Sequence, residues 1–137
     1  MPGQSSIEWT DRTWNVWTGC RQVSPGCAHC YAKEIAEHRF PDHFPNGFAL
    51  TYHWERLHWP LSVRRPSPIF VNSMSDLFWE DVPLEHIQRV FEVMSAAHWH
   101  TFQILTKRHE RLADLAPKRH CHTNWSVPHW RGTSIAF

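Results

Sequence analysis

Apolar positions along the chain change period several times, and each change predicts an element. Ile69-Phe70-Val71-Asn72 is a short β-prone run that ends in polar Asn72, Ser73, Ser75 and Asp76. It predicts a buried strand delivering side chains to its C-terminal end, where α/β folds keep ligands. Beyond Asp81-Val82-Pro83, the residues Leu84, Ile87, Val90, Phe91 and Met94 recur at the helical period of about 3.6 residues. That stripe predicts a one-faced helix, with Asp81 as its cap and Pro83 in its first turn. Thr101 to Thr106 reads as a second strand, followed by Lys107-Arg108 and a short helix from Glu110 to Leu115. Strand–helix units in succession predict parallel strands joined by right-handed crossovers.

Earlier in the chain, Cys27 to Arg39 carries a narrow apolar face, with Tyr31 and Ile35 alongside Ala32 and Ala36. A helix over those residues would place Cys27 and Cys30 on its first turn. Phe40 to Pro68 holds five prolines and no sustained period, and is expected to be a long irregular excursion. Pro117 to Phe137 is weakly patterned, with Gly132-Thr133-Ser134-Ile135 as a candidate final strand.

At 137 residues, one domain covering 1–137 is the expectation. Lys plus Arg against Asp plus Glu is 14 against 13, a net charge of +1. Such a balance supports neither nucleic acid nor an anionic membrane as partner. Twelve His and nine Trp supply ligands and stacking surfaces without choosing among them. No secretory leader is evident at the start, and no apolar run approaches the roughly 20 residues that span a bilayer. A cytoplasmic protein is therefore expected, and in reducing cytosol clustered cysteines hold metal more often than they form disulfides.

Three of the four cysteines follow the spacing Cys20-x6-Cys27-x2-Cys30, with the turn Ser24-Pro25-Gly26 in the longer gap and Tyr31 directly after. The turn can fold the chain so that three sulfurs converge, because Pro presets φ and Gly accepts positive φ. Thiolates suit both iron–sulfur clusters and zinc, and three of them leave one coordination position open. The same residues admit blander readings. They could be buried, reduced thiols packed as small hydrophobes, or Cys27 and Cys30 could form a redox disulfide. A zinc site could be completed by His29 or by the His120-Cys121-His122 cluster. Spacing alone does not separate iron from zinc.

The blocks Gly19-Cys20, Ser24-Pro25-Gly26-Cys27, Cys30-Tyr31-Ala32, Ser73-Met74-Ser75-Asp76-Leu77-Phe78 and Leu105-Thr106-Lys107-Arg108 occur in an order that resembles the phage-type three-Cys-motif proteins. Ile7-Glu8-Trp9-Thr10-Asp11 and Thr13-Trp14-Asn15 fit the same family of bacterial and phage proteins, whose function is largely unassigned. A more distant similarity is to radical SAM enzymes of the spore photoproduct lyase type. It implies a partial (β/α) barrel-like parallel sheet, with Cys20, Cys27 and Cys30 holding a four-iron four-sulfur (4Fe-4S) cluster. The unique iron of such clusters chelates S-adenosylmethionine, and electron transfer then generates a radical that acts on the substrate. By this resemblance Tyr31, Ser73, Ser75, Asp76, Thr106 and Lys107 are candidates for contacts to the cofactor or to an unknown substrate.

Departures from that pattern shape the expectation. The first cysteine gap holds six residues where radical SAM enzymes have three, and a barrel needs roughly 200 residues or more. The match degrades over 117–137. A truncated, N-terminal part of such a fold is therefore expected, able to hold a cluster but poor at cleaving SAM. The rival reading is a non-enzymatic protein in which zinc stabilises the fold or a protein partner is bound. Asp76 and Ser75 could equally cap the Leu77-Phe78 turn, Lys107 and Arg108 could be solvated charges, and Trp9, Trp14 and Trp17 are expected as core or cluster-shielding aromatics. The His-rich tail reads as incidental.

Overall fold

The computed structural model describes residues 3–4, 10–21, 30–115 and 133–136. Within them lies an open five-stranded sheet in the order β1-β2-β5-β6-β7. The strands are β1 (Gly3–Gln4), β2 (Arg12–Trp14), β5 (Pro68–Val71), β6 (Thr101–Leu105) and β7 (Thr133–Ala136). β2, β5, β6 and β7 run parallel to one another, and β1 pairs antiparallel at the edge. The expected parallel α/β sheet is thus present, open rather than closed. Between β2 and β5, β3 (Trp17–Thr18) and β4 (Thr51–Tyr52) form an antiparallel ribbon.

β5 and β6 form where the apolar runs predicted them, with Ile69, Phe70 and Val71 buried in one and Phe102 and Ile104 in the other. The candidate final strand is also in place, since β7 continues the parallel sheet beside β6. A strand that periodicity did not reveal is β2, whose register sets Trp14 opposite Val71. Trp14 and Trp17 are fully buried, as expected of core aromatics, whereas Trp9 lies outside the described residues.

Helix α1 (Tyr31–Glu34) runs on into a π-helical turn over Ile35–Arg39. Cys30 stands at its N-cap with extended backbone, so Cys30 precedes the helix instead of riding on its first turn. The Phe40–Pro68 excursion is more ordered than expected. It contributes β4, two 3₁₀ turns and the short helix α2 (Trp59–Ser62), with Leu57 and Pro60 buried.

Helix α3 (Leu84–Ala96) buries Ile87, Val90, Phe91, Val93 and Met94 against the sheet. Two details of the expectation are corrected. Leu84 is 41% exposed, because at the first helical position it lies beyond the core's edge. Pro83 occupies the cap and no side chain caps the helix, while Asp81 turns outward to pair with Arg21 at 3.3 Å. Helix α4 (His109–Leu115) follows β6. No helix among the described residues is long and apolar enough to cross a membrane.

Candidate functional site: the turn after β5 and the cysteine arm

The C-terminal end of β5 opens into a turn, residues 72–76, around which the site is assembled. Asn72 begins it with φ of 51°, a left-handed conformation that Asn tolerates better than most residues. Its buried side chain helps hold that geometry, since Oδ1 accepts the Val16 N–H at 3.0 Å. Asn15, just past β2, supports the next residues in the same way. Its Oδ1 accepts the Met74 N–H at 2.9 Å, and its amide also bonds the Ser73 hydroxyl. Two asparagines directly after neighbouring strands therefore fix the turn.

Cys20 is brought to this turn by Gly19. The Gly19 N–H donates to the Met74 carbonyl at 2.9 Å, and the Ser75 hydroxyl donates to the Gly19 carbonyl at 2.7 Å. The Cys20 N–H in turn donates to the Phe48 carbonyl at 3.2 Å, on the far side of the strand. Squeezed between those segments, Gly19 adopts φ of 98°, and a Cβ there would meet the Ala49 oxygen at 2.3 Å. Only glycine fits.

Cys30 reaches the same turn from the other side. It packs on the cluster formed by Ala32, Ala36 and Met74, while the Tyr31 hydroxyl donates to the Ser73 carbonyl at 2.8 Å. The Tyr31 ring is 47% exposed, but burial of its hydroxyl end, with a smaller effect of Cys30, pushes that group up to about 12. Cys20 and Cys30 both carry free thiols and both are half-buried. Cys27, the third predicted ligand, lies outside the described residues, as do His29, His120, Cys121 and His122. Among the described residues no three metal-ligating side chains stand together.

The remaining candidates divide by environment. Asp76 and Thr106 are buried, at 6% and 1% exposure, and face each other across the strand ends. Asp76 Oδ1 accepts from the Thr106 hydroxyl at 2.7 Å and from the Phe78 N–H at 3.0 Å. Its Oδ2 accepts from the Lys107 N–H and from Arg108 Nη1, each at 3.1 Å. Asp76 does cap the Leu77-Phe78 turn, and it also ties the end of β5 to the end of β6. Ser75 is engaged with Gly19, whereas Ser73 and Lys107 lie at the open edge, half-buried and exposed respectively.

Of the two readings open for Arg108, the solvated charge does not hold, since it is 5% exposed. Beyond Asp76 it donates through Nε to Glu80 Oε2 at 2.9 Å, through Nη2 to the Arg21 carbonyl at 3.1 Å, and through Nη1 to Cys20 Sγ at 3.4 Å. Burial would lower its pKa, but the bond to Glu80 and the charges of Cys20 and Asp76 outweigh that and hold it above the ordinary range. Burial pushes the Cys20 thiol up, with the Arg108 guanidinium only partly opposing it. From α4, Arg111 bonds the carbonyls of Trp79 and Val82, closing the loop that carries Glu80.

The family described as "Protein of unknown function (DUF5131)" matches residues 4–136. The chain belongs to that family. Its match covers β1 through β7, and so includes both arms of the cysteine motif and the turn they meet. No curated protein and no solved structure matches the chain.

Proposed function

We propose that this protein holds an iron–sulfur cluster through Cys20, Cys27 and Cys30 and uses it with S-adenosylmethionine, in the manner of the radical SAM enzymes its motif resembles. The observation that carries the reading is the shared turn. Cys20 is tied to Met74 and Ser75 through Gly19, and Cys30 packs on Met74, so two thiols of one motif flank a segment more than 40 positions further along, at the C-terminal edge of a parallel sheet. That edge is where such folds gather ligands, because the strand ends present side chains and backbone groups that the sheet itself does not use.

The donor set fits a cluster. Both described thiols are outside any disulfide and partly open, so they can ligate without dismantling the core. Arg108 sets a guanidinium against Cys20 Sγ, a cation beside a group that must become a thiolate to bind metal. When bound, the cluster would supply one-electron chemistry to the cofactor. The chain's own part is positioning. Ser73 and Lys107, at the open edge, would contact the cofactor or substrate, with Tyr31 shielding the Cys30 side. Ser75, Asp76 and Thr106 hold the frame: Ser75 bonds the Gly19 carbonyl, Asp76 and Thr106 bond each other, and these two accept the Lys107 and Arg108 backbone N–H groups.

Electron paramagnetic resonance of the reconstituted, reduced protein tests the cofactor part. Adding S-adenosylmethionine should change the cluster's spectrum, and Lys107→Ala should weaken that response. A cluster spectrum indifferent to the cofactor would remove SAM from the reading while leaving the cluster in place.

A further inference from the structure

We propose that Arg108 is a positioning residue for the metal at Cys20, fixing the ligand's sulfur and balancing its charge once it is a thiolate. This role rests on the reading of Cys20 as a ligand. Nothing in the sequence sets Arg108 apart from its neighbour Lys107, but their surroundings differ. Lys107 lies exposed at the edge, whereas the Arg108 guanidinium lies inside, between the two chain segments that frame the site.

Four acceptors on two segments of the chain share that guanidinium: Glu80 Oε2 and Asp76 Oδ2 on one, the Arg21 carbonyl and Cys20 Sγ on the other. Asp76 and Glu80 hold the group by its Nε and Nη1 edges. Those bonds aim the remaining donors at Cys20 and Arg21. The carbonyl bond matters as much as the sulfur contact, because it fixes the peptide directly after Cys20 and so limits where Sγ can lie. A planar fork can meet four acceptors in different directions, whereas a lysine ammonium presents a point charge on a flexible stem. Two carboxylates, Asp76 and Glu80, bond this one guanidinium. A Cys20 thiolate adds further negative charge, which a metal ion would neutralise while Arg108 keeps its bond to the sulfur.

A simpler role would be to tie the start of α4 to the loop after β5, with no consequence for the sulfur. Arg111 supplies the control, since it makes that kind of tie, to the carbonyls of Trp79 and Val82. The probe is cobalt(II) alone, titrated into anaerobic apoprotein and read by the thiolate-to-cobalt charge-transfer absorption. Arg108→Gln is expected to weaken cobalt binding by roughly 10–100-fold and to shift the band to lower energy, because an unbonded thiolate gives up charge more easily. Arg108→Lys should recover part of the affinity but not the band position. Arg111→Gln should change neither.

Wild-type affinity and band position in Arg108→Gln would overturn the role. Should that variant not fold, an unchanged band in Arg108→Lys would overturn it equally. A wild-type protein that shows no thiolate–cobalt band, or one that Cys20→Ser leaves intact, would instead overturn the reading of Cys20 as a ligand, and this role with it.

Discussion

Removing the Asp76 carboxylate should unfold this protein far more readily than removing a surface acid. Asp76→Ala deletes the acceptor of four bonds, to Thr106 Oγ1, the Phe78 and Lys107 N–H groups and Arg108 Nη1, in a residue that is 6% exposed. Breaking a buried ion pair by deleting one partner costs about 3–5 kcal/mol. A count by orphaned donors reaches a similar figure, at about 1–3 kcal/mol for each group left unpaired. The lower end is the better expectation, because Arg108 keeps Glu80 and the Thr106 hydroxyl can rotate. Against a typical total of about 5–15 kcal/mol, a loss near 3 kcal/mol lowers Tm by roughly 10 °C. Urea unfolding at neutral pH measures it, with an m-value unchanged from wild type. Asp76→Ala combined with Arg108→Met should cost less than the sum of the two singles, since the second change removes the cation stranded by the first. A single Asp76→Ala variant within about 1 kcal/mol of wild type would refute the hub, and would return Asp76 to the ligand-contacting role.

Gly19→Ala should destabilise the fold by about 2–5 kcal/mol, combining left-handed strain with a forced shift of the 48–49 backbone, and should lower metal content because Cys20 moves with it. Calorimetry and metal analysis on the same sample check both. The His53 pKa is lowered by burial and by the Arg56 guanidinium, with Glu55 opposing. Its contribution to stability is therefore complete above the unfolded value of about 6.5 and is lost as pH falls through the folded value. Urea midpoints at pH 7.5 and 5.5 should consequently differ less in His53→Asn than in wild type; equal differences would contradict that assignment. Cys121→Ser should retain wild-type metal content, and a loss matching that of Cys27→Ser would point to zinc closed by the tail.

The parts of the fold that could be read in the sequence are those whose burial is written locally. β5 is a short apolar run, β6 alternates buried Phe102 and Ile104 with more exposed positions, and α3 repeats its apolar face over 13 residues, so each carries its own signal. β2 does not. It has three residues, and what makes it a strand is pairing with β5 more than 50 positions away. The β3–β4 ribbon is hidden for the same reason, with β4 in a stretch where proline suggested only loop.

The site shows the same division. Cysteine spacing drew attention to Cys20 and Cys30, and the polar end of β5 drew attention to 73–76. The burial of Arg108 was not legible, because a charged residue after a strand is ordinarily solvated and its four acceptors come from positions 20, 21, 76 and 80. Nor was the bracing of the turn by Asn15 and Asn72, whose side chains accept the Met74 and Val16 N–H groups. The one usable hint was that each directly follows a short apolar strand, where an amide side chain can satisfy a backbone leaving the sheet.

The most direct test is metal analysis after anaerobic reconstitution with iron and sulfide, on wild type and on Cys20→Ser, Cys27→Ser and Cys30→Ser. The account predicts a brown wild-type protein with iron and acid-labile sulfide in equal amounts and no bound zinc, and loss of both from each single variant. A colourless protein that takes up zinc in preference to iron, or iron that survives the loss of any of the three cysteines, would contradict it.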